Sequence, residues 1–180
     1  MGIPTEPKPI KFFVALLAPS EDLLASAEAR LAPLLGAIES RSGIFPWEVT
    51  DYYAEEMGSG LRRKFVSFTP LASPERLPEI KLATQGIEAE YLWTRGEMRG
   101  RRVNIDPGYL DAGKVVLAST KNAPHRLYLG SRIYGEVTLL YHTGSYHPLD
   151  TTYADYRWPE TIAFFGEARV LYLRQLKRGF

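Results

Sequence analysis

All three histidines and seven of the eleven tyrosines of this 180-residue chain fall within residues 102–157. A surface built only for solubility is assembled from Lys and Glu, whereas this stretch is assembled from His, Tyr, Asn and Arg. Asn104 and Asp106 stand one residue apart, just ahead of Pro107-Gly108. On a strand, positions i and i+2 share a face. The amide and the carboxylate then point together, toward a ligand or into hydrogen bonds with the turn backbone. His125, Arg126 and Glu136 flank Gly130-Ser131, a pair suited to a tight hairpin turn. A two-residue turn sets His125 opposite Glu136, and a three-residue turn sets Arg126 there. Either register gives Glu136 a cation within cross-strand reach. A carboxylate beside His125 favours the imidazolium and orients the ring. His125 and Glu136 are therefore the candidates for acid–base catalysis, with a structural ion pair as the alternative.

Gly108 to Val115 reads GYLDAGKV, with the glycine spacing and the lysine of a phosphate loop. Val115 stands where a Ser or Thr would hold Mg²⁺, and Asp111 puts a negative charge inside the loop. Lys114 stays a candidate for meeting an anion without that loop. Asp51, Glu55 and Glu56 offer oxygen ligands to a divalent cation, and Tyr52 lies beside them. Arg62, Arg63 and Lys64 offer phosphate contacts. A solvated charged loop is the alternative for both clusters. His142, His147 and Asp150 lie within nine residues. Their spacing matches no helical metal motif, so no metal site is assigned. Two familiar templates are absent, the paired His-x-Ser/Thr of a phosphoesterase and the GxSxG of a serine hydrolase.

These side chains need elements to hold them. Residues 11–18, KFFVALLA, form a continuous apolar run and read as a buried strand. Ser20 caps a helix that ends at Gly36, with Pro33 kinking its last turn. Residues 37–50 read as one strand or an irregular pair, and 51–60 as a loop or short helix. A strand at 64–71 precedes a helix carrying Leu77, Ile80, Ala83, Ile87 and Leu92 on one stripe. A strand at 101–106 ends at Pro107-Gly108. Asp111 can cap a helix through residues 112–122, although VVLA alone also suits a strand. A hairpin at 125–141 and a helix opened by Pro159 complete the chain. The order strand, helix, strand, strand, helix, strand predicts an α+β fold with a ferredoxin-like βαββαβ core. A helix, a β-hairpin and a C-terminal helix follow it. One globular domain over residues 1–180 is expected, with residues 1–9 as a flexible N-terminal arm.

The apolar share of 45% and charged share of 24% are those of an ordinary globular protein. A net charge of +1 argues against a nucleic-acid partner. With no cysteine, disulfides, thiolate nucleophiles and zinc–thiolate sites are excluded. The N-terminus lacks the pattern of a signal peptide, and the longest apolar run, Phe12 to Ala18, is too short to span a bilayer. A cytoplasmic protein without a membrane partner is expected.

KFFVALL, TDYYAEEMGSGLRRKFVSF, PEIKLAT, RRVNIDPGYL, HRLYLG, IYGEVTL and PETIAFF occur in this order over nearly the whole chain. Together they resemble the prokaryotic domain-of-unknown-function family numbered 4416. The resemblance brings no activity, substrate or cofactor with it. It marks Asp51, Tyr52, Asn104, Asp106, His125, Arg126 and Glu136 as members of matching blocks. The expected function is a small-molecule binding domain or enzyme acting on a phosphate-bearing or other anionic ligand, such as a nucleotide. Lys114, His125 and Arg126 meet the anion in that reading, with help from Arg62 or Lys64. Asp51, Asp106 and Glu136 hold a divalent cation or orient the cations. The alternative is a non-enzymatic module that binds a protein or single-stranded RNA through Tyr141, Tyr146, Tyr153, Tyr156 and Trp158, or a homodimer built on that surface.

Overall fold

The computed structural model describes residues 2–179. β1 (Ile10–Ala18) is buried along its whole length, as an apolar run without alternation requires of a strand covered on both faces. Phe12, Val14 and Leu16 join one hydrophobic cluster, and Phe13 and Ala15 join another. β1 therefore divides the core into two layers. α1 (Glu21–Leu35) begins where the Ser20 hydroxyl accepts from Leu23 N and ends where Gly36, at φ 89°, donates its N–H to Ala32 O. Two short strands, β2 (Ile38–Arg41) and β3 (Phe45–Pro46), lie along β4 (Arg62–Ala72). Between β3 and β4 come a 3₁₀ turn at Asp51–Tyr53 and α2 (Ala54–Met57). Next are α3 (Leu77–Ala89), β5 (Leu92–Arg95), β6 (Met98–Arg101), β7 (Asn104–Leu110) and β8 (Lys114–Ser119). β9 (Leu127–Gly130), β10 (Ile133–His142), β11 (Ser145–Pro148) and α4 (Pro159–Arg178) follow.

The main sheet is antiparallel and runs β11-β10-β8-β7-β1-β4-β2, with β3 on β4 and β9 on β10. β5 and β6 pair separately as a hairpin. α1 and α3 cover one face through Leu24, Leu31, Leu77 and Ile80. α4 covers the other through Phe164, Phe165 and Tyr172.

The fold is α+β, as the element order predicts. The sheet as a whole is not a four-stranded ferredoxin-like one: the strands of the expected βαββαβ core lie in the order β7-β1-β4-β2, and the ladder continues past β7 into β8, β10 and β11. The helix expected over 112–122 is strand β8. Val115 and Leu117 face the α4 layer while Val116 and Ala118 face the other, so both faces demand apolar residues and no helical stripe is needed. The strand expected to stop at Pro107-Gly108 continues to Leu110. The helix expected to reach Leu92 stops at Ala89, and Leu92 turns back against Arg101.

β7 pairs with β1 from Asn104 to Leu110, but with β8 only from Gly108 to Leu110. From Asn104 to Pro107 the other edge of β7 has no strand among the described residues. The sheet therefore splits into a fork. Inside it, Ile105 N donates to Glu88 Oε1 at 2.5 Å and Ile105 O accepts from Lys81 Nζ at 3.2 Å. Side chains of α3 thus take the place of the missing neighbour. Pro107 turns the same edge outward two residues later and has no N–H to offer a ladder. Gly108 closes the fork. A Cβ there would lie 2.4 Å from Val116 O and 2.5 Å from Phe13 Cζ, so only glycine lets β8 approach.

Candidate functional site

The fork holds a cavity of about 450 Å³. β7 contributes Asn104 and Asp106, α3 contributes Lys81 and Glu88, and β6 contributes Arg101. β4 supplies Arg63, β10 supplies Glu136, and the 3₁₀ turn before α4 supplies Asp155 and Tyr156. Trp47, Tyr52, Tyr53 and Tyr153 add aromatic wall, and Lys121 adds a cation.

Charges in the wall are arranged as pairs. Asp106 accepts from Lys81 Nζ at 3.1 Å and from Asn104 Nδ2 at 2.5 Å. Asn104 and Asp106 therefore do point together, as strand periodicity requires. Burial alone would raise the Asp106 carboxyl, but the Lys81 ammonium, the Arg63 guanidinium and these hydrogen bonds outweigh it and hold it below its ordinary value. Glu88 goes the other way: burial raises it against Arg101 and Lys81. Burial also raises Asp155 against Arg63. Burial, with Asp106 nearby, pushes the Tyr53 hydroxyl up to about 12. Burial and the Glu136 carboxylate raise Tyr153 as well. These phenols are neutral hydrogen-bond donors at pH 7.

Arg63 is only 3% exposed. Its Nε lies 3.0 Å from Asp155 Oδ2 but is not aligned for a hydrogen bond, and Nη1 has no partner among the described residues. Its guanidinium stacks over the Trp47 ring at 4.7 Å. Buried donors are nearly always satisfied, so a guanidinium with idle N–H groups in a cavity wall marks a place that expects a partner.

Glu136 is 4% exposed and holds both candidate cations at once. His125 Nε2 is 2.7 Å from Oε2, and Arg126 Nη2 is 3.0 Å from Oε1. The turn is Ser131-Arg132, both at positive φ, with Ile133 opposite Gly130. Arg126 also donates to Tyr153 Oη at 2.5 Å and to Ser119 Oγ and Lys121 O at 2.8 Å. Glu136 faces the cavity while His125 and Arg126 do not line it. His125 and Arg126 thus stand behind Glu136, on the side of it away from the cavity lining.

Tyr52 lines the cavity, and its hydroxyl accepts from Lys121 Nζ at 2.9 Å. Lys121 makes no ion pair among the described residues. The side chain of Asp51 lies outside the described residues. Lys114 is not brought to the site. It opens β8 at the end away from Ser119 and bonds Asp111 at 2.5 Å, in a loop where Asp111 Oδ1 also accepts from Gly113 N and Lys114 N. That loop joins two strands, so the phosphate-loop likeness has no helix behind it. Arg62 and Lys64 are spent on Glu21 and Glu28. His142 and His147 stack at 3.8 Å between ring centres. Among the described residues no group of three His, Asp or Glu converges to hold a metal. Of the aromatics expected to meet a partner, Tyr146 and Tyr156 are buried in the core under α4, whereas Tyr153 is exposed.

Lys81, Glu88, Arg101, Trp47 and Lys121 went unnoticed in the sequence, whereas Arg63 belongs to the basic run read there as a source of phosphate contacts. For α3 a signal exists. Lys81, Thr84 and Glu88 follow Leu77 at intervals of four, three and four, and all are buried. Polar residues on a helix's core face must be paired or serve a site.

A family model described as Domain of unknown function (DUF4416) matches residues 8–172. No curated protein and no solved structure matches the chain. No helix among the described residues is long and apolar enough to cross a membrane.

Proposed function

We propose that this chain, which belongs to the domain-of-unknown-function family DUF4416, binds a small anionic ligand in its forked sheet, and that a phosphate-bearing molecule with a flat ring, a nucleotide, fits best. The observation that carries this reading is Arg63, buried in the wall with idle donors. An anion is the partner a guanidinium satisfies best. Lys121 supplies a second cation, which makes no ion pair among the described residues. The aromatic wall of Trp47, Tyr52 and Tyr53 suits a ring. A volume of about 450 Å³ lies within the usual range for small-molecule sites. Asp106, kept ionised, and the neutral phenols of Tyr53 and Tyr153 would serve as base and donors in a reaction on the bound molecule.

A thermal-shift panel tests the reading. It covers nucleotides, sugar phosphates, inorganic phosphate and acidic metabolites, each with and without Mg²⁺ and Mn²⁺, since a divalent cation often accompanies phosphates. At about 100 times its dissociation constant a ligand stabilises the fold by roughly 2.7 kcal/mol. We expect a nucleotide to raise the melting temperature and Arg63→Lys or Lys121→Ala to diminish that rise. A flat panel on well-folded protein would sink the reading.

One observation favours a second reading, in which a protein partner or a second copy adds to the sheet. Among the described residues β9 pairs with β10 alone, and it exposes Leu127 at 75% and Tyr128 at 62%. Exposed apolar edge strands invite pairing. A molecular mass that rises with protein concentration would support self-association through that edge.

A further inference from the structure

We infer that the ligand of the fork cavity carries a run of phosphates and that Arg99 holds the outer ones, so a nucleoside triphosphate fits better than a monophosphate. This rests on the anionic-ligand reading above and narrows it. Arg101 lines the cavity from β6. Side chains two apart on a strand share a face. Arg99 therefore projects from the same face as Arg101, about 6.7 Å further toward the hairpin tip. Thr94 stands opposite Arg99, and Leu92 stands opposite Arg101. The face thus carries two arginines and no carboxylate of its own.

The two arginines differ in what they already hold. Arg101 lies 2.9 Å from Glu88 and 3.0 Å from Glu56. Arg99 is exposed and makes no ion pair among the described residues. The opposite face of the hairpin is clamped to α2. Trp93 Nε1 donates to Glu56 O at 3.0 Å, and a Cβ on Gly100 would lie 2.2 Å from that same oxygen. The clamp sets the direction in which the arginine face looks. The hairpin itself buries only Gly100, so its upkeep is not explained by the core.

A single phosphate at Arg63 and Lys121 gives Arg99 nothing to hold. A chain of phosphates leaving the cavity past Arg101 reaches a free guanidinium suited to bidentate contact. Arg95 pairs with Met98 and lies on the other face, so it carries the same charge off this track.

The test is calorimetric titration with the nucleoside mono-, di- and triphosphates of one base, at fixed ionic strength, on wild type, Arg99→Ala, Arg99→Glu and Arg95→Ala. We expect the triphosphate to bind roughly tenfold more tightly than the monophosphate in wild type, the worth of one added charge-assisted contact. Arg99→Ala should erase that ratio and leave monophosphate affinity unchanged, and Arg99→Glu should push the triphosphate below the monophosphate. Arg95→Ala should behave as wild type. Equal affinities in wild type overturn the inference, and so does Arg95→Ala if it matches Arg99→Ala, since bulk charge then explains the effect. Both outcomes leave the cavity reading standing. If no nucleotide binds at all, the cavity reading falls and this one falls with it.

Discussion

Asp106 and Asp155 are both carboxylates within reach of Arg63, yet their environments push them in opposite directions. Asp106 receives Lys81 and Asn104, whereas at Asp155 burial outweighs the Arg63 guanidinium and the backbone hydrogen bonds it accepts. A carboxyl whose folded pKa lies below its ordinary 3.8 binds its proton less tightly when folded. Its stabilisation is in full above pH 3.8 and is lost as pH falls through the lower folded value. Asp106→Asn should therefore cost about 1–3 kcal/mol at neutral pH, the penalty for leaving Lys81 poorly paired. The gap from wild type should close as urea midpoints are followed below pH 3.8. A gap of constant size across that range would mean that Asp106 contributes shape, not charge. At this scale the sequence was partly legible. A strand's two-residue period brought Asn104 and Asp106 together, and a hairpin brought Glu136 to His125 and Arg126. Nothing local told that His125 and Arg126 would stand behind Glu136, because that depends on which edge of β10 faces the fork.

Among the elements, β7 and β8 matter most. Their ladder is short because one strand carries Pro107, and it exists at all because Gly108 has no side chain. Gly108→Ala should destabilise the protein by about 1–3 kcal/mol through overpacking, read from chemical denaturation. It should also weaken whatever fills the cavity, since β8 carries Ser119 and leads into Lys121. A neutral result would show that Phe13 can step aside. The capped helix α1 and the apolar β1 were plain in the sequence, since Ser20, Gly36 and an unbroken apolar run are local signals. β8 was not. Lys114 to Ser119 is too short for periodicity to decide, and the choice was made by β7 and β10, which border it on both sides. The helical stripe runs on to Leu92, the first residue of the β5–β6 hairpin, and so hides where α3 stops.

At the scale of the whole molecule, a net charge of +1 conceals a strong local pattern. The cavity wall sets four carboxylates, Glu88, Asp106, Glu136 and Asp155, beside Arg63, Lys81, Arg101 and Lys121. Composition averages such a site to nothing, which is why bulk charge could argue against polyanions without revealing a pocket walled by charges of both signs. Sequence order predicted the mixture of helix and sheet, but not how many strands would extend it, since adding β10 and β11 depends on long-range pairing. The central position of β1 also has a consequence in time. This strand is apolar on both faces, yet its neighbours β4 and β7 do not begin until Arg62 and Asn104. A chain leaving the ribosome must carry IKFFVALLA unpaired through all of that synthesis, and non-local pairing is slow even in a complete chain. Refolding from urea should accordingly take milliseconds to seconds, with a yield that drops as protein concentration rises. Microsecond refolding at full yield would show that β1 finds shelter under α1 before its strands arrive.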